Sequence, residues 1–262
     1  MKQVFLVTIV AIAISCSNRV SKKDRKISDS LTVKSKYFIE NKMLDSAAIL
    51  LATAIHLDPT NYVAYNNRAI LNLRKHASQQ KVVADFEKAL NLCPDYDISI
   101  YSLANYYFEQ EDYKNVVKFS NRFLALPNKE EIDSCGVQHI FSIKGESERY
   151  LFDNDSAFND LQMAIRLDAN DADAHRNLAD WYFETQSDII KAIKEYSIAI
   201  QLDSNYAKAY LGRANCFEHS SPPLINNAIN DYKKAFTIEP TILDLYGTKS
   251  LLFGRIKKVM LR

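Results

Sequence analysis

Glycine and proline are scarce in this sequence, with five glycines and six prolines among 262 residues. Glycine supplies the backbone freedom of tight turns, and proline interrupts helices. The shortage of both suits a chain that is nearly all helix. Hydrophobic residues make up 47% of the chain and charged residues 25%, which is the balance of an ordinary folded protein and excludes a wholly disordered chain.

The sequence also lacks an excess of charge of either sign. The 33 Lys and Arg residues face 32 Asp and Glu residues, and removal of residues 1–15 would take away one lysine. A protein that binds nucleic acid non-specifically needs a concentrated basic surface. We therefore expect no nucleic-acid partner.

Signatures of catalysis and of cofactor binding are missing as well. The five histidines show no His-Glu-x-x-His spacing, and the chain has no Cys-x-x-Cys pair and no glycine-rich phosphate loop. The many carboxylates in helix turns are interpreted as helix caps or solvated groups. We therefore expect that the protein is not an enzyme and holds no metal and no other cofactor.

None of the four cysteines has the spacing of metal ligands. Cys216 lies among predicted core residues and is interpreted as a small buried hydrophobe. Cys93 and Cys135 flank the same segment, so a disulfide bridge between them is one possibility and two free thiols are the other. The fourth, Cys16, follows the apolar N-terminal segment.

A mostly apolar run covers residues 4–14. As a helix it would span about 16 Å, which is short of the ~20 residues that cross a bilayer. A short apolar run followed by a small residue is typical of a secretory signal peptide, predicted here over residues 1–15. The segment Ala13-Ile14-Ser15-Cys16 resembles the bacterial lipobox, although Ala13 replaces the usual leucine, and the resemblance implies a lipid on Cys16. A plain secretory signal and an uncleaved start are the alternatives.

Residues 18–30 are polar and charged and show no helical periodicity. Residues 16–27 are therefore predicted to be the lipidated cysteine and a flexible tether, whose mean reach is only ~20 Å. An acylated Cys16 would hold the rest of the chain close to a membrane. We therefore expect the protein to lie in the bacterial cell envelope, at the outer membrane and facing the periplasm.

The rest of the chain repeats a pattern of small residues. In the first helix of each predicted helical hairpin, a small residue recurs at intervals of 34 to 36 residues, with one interval of 41. A small side chain is needed where two helix backbones approach closely. The seven positions are Ser35, Ala69, Ala104, Gly145, Ala179, Ala214 and Ser250. The period predicts an array of hairpins, each of which buries its apolar side on its neighbours.

The cleanest copy of the repeat covers residues 175–204. Its matching residues are His175-x2-Leu178-Ala179-x2-Tyr182, then Ala192-x3-Tyr196, then Ser204. This copy resembles the tetratricopeptide repeat (TPR) pattern Trp-x2-Leu-Gly-x2-Tyr, Ala-x3-Phe, Pro. The resemblance implies an all-α protein, a right-handed α-solenoid of about six hairpins with a capping helix over residues 243–262. The repeats are predicted at 28–61, 62–96, 97–130, 138–171, 172–206 and 207–242, with an inserted segment at 131–137.

In TPR arrays the first helices line a concave surface, and the resemblance implies which residues of each repeat point into it. The residues predicted to bind a partner are Asn66, Asn67, Tyr101, Asn105, Phe108, Arg176, Asn177, Asp180, Lys208 and Asn215. Asparagine both donates and accepts hydrogen bonds, which suits the backbone of an extended peptide. The alternative is that solvated polar residues simply fill the concave face. The carboxylate clamp of co-chaperone TPR domains is excluded, because Glu146 brings the wrong charge to the frame that fits best.

Together these patterns predict a non-enzymatic scaffold that is lipid-anchored in the bacterial envelope and binds a protein or peptide in its groove. The alternative is a soluble cytoplasmic adaptor with an uncleaved N-terminus. A third hypothesis, an enzyme or a small-ligand receptor, requires a deep pocket with converging titratable groups. The pattern carries no signal for a particular partner, biological process or oligomeric state.

Overall fold

The computed structural model describes residues 20–127 and 134–242. The regular secondary structure in these two stretches consists of α-helices, without a β-strand. The helices there are α1 Lys22–Glu40, α2 Leu44–Leu57, α3 Tyr62–Arg74, α4 Gln79–Leu92, α5 Asp97–Glu109, α6 Tyr113–Leu124, α7 Ser134–Tyr150, α8 Asn154–Leu167, α9 Ala172–Thr185, α10 Ile189–Leu202, α11 Ala207–His219 and α12 Ile225–Ile238. None of these helices is long and apolar enough to cross a membrane. The predicted signal peptide, Cys16 and the predicted capping helix at 243–262, including Ser250, lie outside the described residues.

Consecutive helices pack in pairs: α1 on α2, α3 on α4, α7 on α8, α9 on α10 and α11 on α12. Between α5 and α6, the rings of Tyr107 and Phe119 stack with their centres 5.5 Å apart. The chain divides into two compact units, Met1–Leu103 and Ala104–Arg262, and the boundary falls within α5. The all-α hairpin architecture predicted from the repeat period is confirmed for the described part of the chain.

The small residues of the repeat lie at contacts between helices. Ala69, Ala179 and Ala214 have no exposed surface, and Gly145 is buried as well. A Cβ atom added to Gly145 would lie 2.8 Å from Leu161 Cγ and 3.1 Å from the Leu161 backbone nitrogen. Carbon atoms in contact prefer separations of about 3.5–4.0 Å. The helices α7 and α8 therefore approach too closely to admit a side chain at this position without movement.

Five of the hairpins turn through a non-glycine residue that has a positive φ angle. These residues are Lys42, His76, Glu111, Phe152 and Ser187. In the first turn the N–H of Met43 donates to the carbonyl of Phe38, and the N–H of Lys42 donates to that of Ile39. This is the Schellman motif, which satisfies the last carbonyls of a helix. The hairpins thus close without glycine, although the left-handed backbone costs other residues roughly 1–2 kcal/mol.

The first helix begins at Lys22, so the flexible tether predicted at residues 16–27 is wrong for its last six residues. Ser21 caps this helix, because its Oγ accepts the N–H of Asp24 at 3.0 Å. Ser28 is fully buried, and its Oγ donates to the carbonyl of Ala54 at 2.9 Å. The inward positions of α1 are largely Ser and Thr. The helix therefore lacks the hydrophobic periodicity by which a helix is recognised in a sequence.

The inserted segment predicted at 131–137 is also partly helical. Helix α7 begins at Ser134, four residues before the predicted start of the fourth repeat. Val137 lies three and four positions before Ile140 and Phe141, so it continues the apolar face of α7 by one turn. Residues 128–133 lie outside the described part of the chain.

Candidate functional site

The ten residues predicted to bind a partner are divided between the two compact units. Asn66, Asn67 and Tyr101 belong to the first unit, and the other seven belong to the second. All of them lie on the first helices of hairpins, namely α3, α5, α9 and α11. They differ in what their side chains contact.

Three of the predicted asparagines are buried rather than open to a peptide. Asn66 and Asn177 are each 1% exposed, and Asn67 is 7% exposed. The Oδ1 atom of Asn66 accepts from Ser99 Oγ at 2.9 Å, and Asn67 Nδ2 donates to the carbonyl of Thr32 at 3.3 Å. Asn66 and Asn67 therefore join the first helices of successive hairpins, and the predicted contact of these three asparagines with a peptide stays a prediction.

Two further asparagines are half-buried and already bonded to neighbouring helices. Asn105 Oδ1 lies 2.7 Å from Nε2 of His139, and Asn215 Oδ1 accepts from the hydroxyl of Tyr232 at 2.7 Å. Burial lowers the pKa of His139, which favours its neutral form. Tyr101, another of the predicted residues, is half-buried on α5.

Arg176 is the centre of a buried ion network in the second unit. Its guanidinium donates to Asp180 Oδ2 at 2.7 Å, to Glu146 Oε2 at 3.1 Å and to the hydroxyl of Tyr206 at 3.2 Å. Burial by itself lowers the pKa of Arg176, but the nearby carboxylates outweigh it and raise the pKa above its usual value. The network therefore holds a charged guanidinium between α7 and α9.

A second arginine, Arg149 on α7, extends this network. It lies 3.5 Å from Asp180, donates to Glu184, and covers the ring of Tyr150 with its guanidinium 4.4 Å from the ring centre. The hydroxyl of Tyr196 also donates to Asp180. The sequence pattern placed Asp180 at a partner-binding position but missed Arg149. In the structure Arg149 and Arg176 form ion pairs with carboxylates of the same network.

A cavity of about 410 Å³ opens in the second unit, and part of its wall is aromatic. Phe108, Tyr113 and Tyr150 line it, and the rings of Tyr113 and Tyr150 stack with their centres 4.5 Å apart. Burial raises the pKa of Tyr113 to about 12, so its hydroxyl is neutral at physiological pH. The aromatic wall combines a residue of α5, a residue of α6 and the last residue of α7.

The rest of the cavity wall is charged. Glu109, Glu111, Glu146 and Lys208 line it. Phe108 and Lys208 are therefore the two predicted partner-binding residues that the structure brings together here. Glu146 was missed, although it occupies the ninth position of its repeat, as Asp180 does. The other lining residues lie in or beside hairpin turns, where the repeat positions give no guidance.

Within residues 20–127 and 134–242, no group of three or more His, Cys, Asp or Glu side chains is arranged to hold a metal ion. Cys216 is buried, as predicted, and burial raises the pKa of its thiol to about 12. Cys93 is half-buried, and the side chain of Cys135 lies outside the described part, so their predicted bridge stays a prediction. The described site offers ion pairs, hydrogen bonds and aromatic contacts.

No protein-family model matches the sequence. Solved structures resemble it closely in fold. PilF of Pseudomonas aeruginosa has a TM-score of 0.66 and 14% identity over 91% of this chain and 100% of that chain. PilW, a widely conserved type IV pilus biogenesis factor, has a TM-score of 0.64 and 15% identity over 90% of this chain and 99% of that chain.

A third similar structure is that of YrrB, a TPR protein with an unusual peptide-binding site. It has a TM-score of 0.57 and 20% identity over 79% of this chain and 97% of that chain. The solved structures to which this chain is similar are TPR proteins. The chain therefore has the TPR fold, as its repeat residues predicted.

Proposed function

We propose that this protein is a lipid-anchored scaffold of the bacterial cell envelope that binds a protein or peptide partner at the cavity of its second unit. The observation that carries the binding function is the convergence of side chains from α5, α6, α7 and α11 on that cavity. The TPR fold supports this function, because YrrB, a protein of the same fold, has a peptide-binding site. Aromatic and polar groups on one open surface suit a peptide.

The state of the titratable groups favours binding over catalysis. The buried groups with raised pKa values, such as Arg176 and Tyr196, are bonded to carboxylates of the same network. Among the residues that line the cavity, Tyr113 has a pKa raised by burial, which keeps its hydroxyl neutral, and the edge is formed by exposed side chains, Glu109, Glu111 and Tyr150 among them. A scaffold needs such an accessible edge, whereas a catalytic site concentrates perturbed groups where a substrate is enclosed.

The anchoring part of the proposal is supported by the lipobox resemblance at Cys16. Because α1 begins at Lys22, five residues separate Cys16 from the helix. Five residues reach at most about 18 Å when fully extended. A lipid on Cys16 would therefore keep the first hairpin close to the membrane surface.

Photocrosslinking in cells tests the binding function. A photoreactive amino acid replaces either Glu109 or Lys208 at the cavity. The controls carry it at Lys194 on α10 or Lys233 on α12, which are also exposed. We expect a specific protein partner to be attached from the first two positions and not from the controls. Equal labelling from all four positions, or no labelling from the cavity, would contradict the proposed binding site.

Mass spectrometry of the mature N-terminus tests the anchor. We expect the chain to begin at a lipid-modified Cys16 and to fractionate with membranes. The Cys16→Ala variant should lose the lipid and leave the membrane fraction. An N-terminus that retains Met1 would rule out the anchor and leave the binding function to be judged by crosslinking.

A further inference from the structure

The cavity of the second unit is lined by side chains that favour one class of occupant. We propose that it receives a lysine or arginine side chain of the bound partner, with the methylene stem against the aromatic wall and the cationic head near the carboxylates. This inference rests on the proposed binding function and adds the chemistry of the partner.

The aromatic wall is already assembled in the free protein. The rings of Tyr113 and Tyr150 are stacked with an interplanar angle of 10°, and the guanidinium of Arg149 covers Tyr150. Phe108 lines the same cavity and is half-buried. Lysine and arginine pack their long apolar stems on such surfaces while the charged head stays near water. Because Tyr113 and Arg149 take the two faces of the Tyr150 ring, the stem of the partner residue would lie against Phe108 and the edges of the stacked tyrosine rings.

The charges of the lining favour a cation over an anion. Three carboxylates, those of Glu109, Glu111 and Glu146, face a single ammonium, that of Lys208. Glu146 is held by Arg176 at 3.1 Å. Glu109 and Glu111 are exposed, and neither forms an ion pair within the described residues. These two carboxylates therefore remain available to a cation that enters the cavity.

Lys208 distinguishes a cationic occupant from an anionic one. A bound cation is repelled by the Lys208 ammonium, so neutralising this residue should strengthen its binding. A bound carboxylate or phosphate would pair with Lys208, so the same change should weaken it. The volume of about 410 Å³ accommodates one long side chain with its flanking backbone and lies at the lower end of the ~300–1,000 Å³ of ligand pockets.

The test compares two acetylated and amidated pentapeptides, Gly-Ser-Arg-Ser-Gly and the same sequence with citrulline in place of arginine. Citrulline has nearly the shape of arginine and no charge. Dissociation constants are measured by NMR titration of the mature protein with 13C-labelled tyrosine. We expect the arginine peptide to bind about five- to tenfold more tightly, which corresponds to two exposed ion pairs. Equal affinities for the two peptides would overturn the proposal.

Three variants locate the effect. Glu109→Gln and Glu111→Gln should each weaken binding of the arginine peptide about two- to fivefold and leave the citrulline peptide unaffected. Lys208→Gln should strengthen binding of the arginine peptide. Asp155→Asn, an exposed carboxylate of α8 outside the cavity lining, is the matched control and should change nothing. Weaker binding by Lys208→Gln, or equal losses in the control, would overturn the proposal.

The peptide titration tests the cationic occupant and the crosslinking experiment tests the scaffold function, so either can be rejected without the other. A partner captured from Lys208, together with equal affinity for arginine and citrulline, would reject the cationic occupant and keep the scaffold function. Selectivity for arginine without a captured partner would reject the scaffold function and keep the cation-binding cavity. All the substituted side chains are exposed, so circular dichroism of the variants should match that of the parent protein.

Discussion

Replacement of Gly145 by alanine tests the close contact on which the fourth hairpin depends. The added Cβ would lie 2.8 Å from Leu161 Cγ, 3.0 Å from Leu161 Cδ2 and 3.1 Å from the Leu161 backbone nitrogen. Leu161 is fully buried and its backbone cannot rotate away, so α7 and α8 must separate. Overpacking of a core costs about 1–3 kcal/mol, whereas replacing glycine by alanine within a helix gains about 1 kcal/mol. We expect a net loss of about 1 kcal/mol in the free energy of unfolding.

Urea denaturation followed by circular dichroism measures this loss. Asn159→Ala, at an exposed position of α8, is the control for helix propensity and should be stabilising by less than about 1 kcal/mol. The double variant with Leu161→Ala should lose less stability than the sum of the two single variants, because alanine at 161 removes the Cγ and Cδ2 atoms from the contact. Greater stability of Gly145→Ala than of the parent would refute the argument, since α7 and α8 would then have room for the methyl group.

Three other changes test the ion network, the buried acid and the strained turn. Arg176→Met leaves the carboxylates of Glu146 and Asp180 without their buried partner, and urea denaturation should show a loss of about 3 kcal/mol. Burial raises the pKa of Glu148 from 4.5 to about 7, so its contribution to stability is complete below 4.5 and is lost as the pH rises through 7. Glu148→Gln should remove this fall in denaturation curves recorded across that range. Phe152→Gly relieves a φ angle of 62° at an exposed position and should raise the free energy of unfolding by about 0.5–1 kcal/mol, measured by thermal denaturation.

The repeat period was sufficient to predict the hairpins, because the spacing of small and apolar residues is a local property of each helix. It was insufficient at two places where a helix begins earlier than the repeat period indicates. Helix α1 buries Ser28 and Thr32 where a hydrophobic residue would be expected, and hydrogen bonds to Ala54 and Asn61 compensate for their polarity. Helix α7 starts at Ser134, inside a segment that had been assigned to an insertion.

The candidate site was predicted only in part. Repeat positions identify which residues of a first helix face away from its own hairpin partner, and two of the residues they gave, Phe108 and Lys208, line the cavity. The same positions include Asn66 and Asn177, which are buried. Whether such a position is open or covered depends on the side chains of the next hairpin, such as Ser99 beside Asn66.

The sequence by itself determined the order of the helices and the places where they come closest, because helix formation and close approach depend on residues a few positions apart. Only the tertiary structure decided which polar groups stay accessible. The guanidinium of Arg176 is paired with a carboxylate of its own hairpin and with one of a neighbouring hairpin. Phe108 and Lys208, a hundred positions apart in the chain, line one cavity. Burial and ion pairing are set by neighbours distant in the chain, and a periodic pattern does not specify those neighbours.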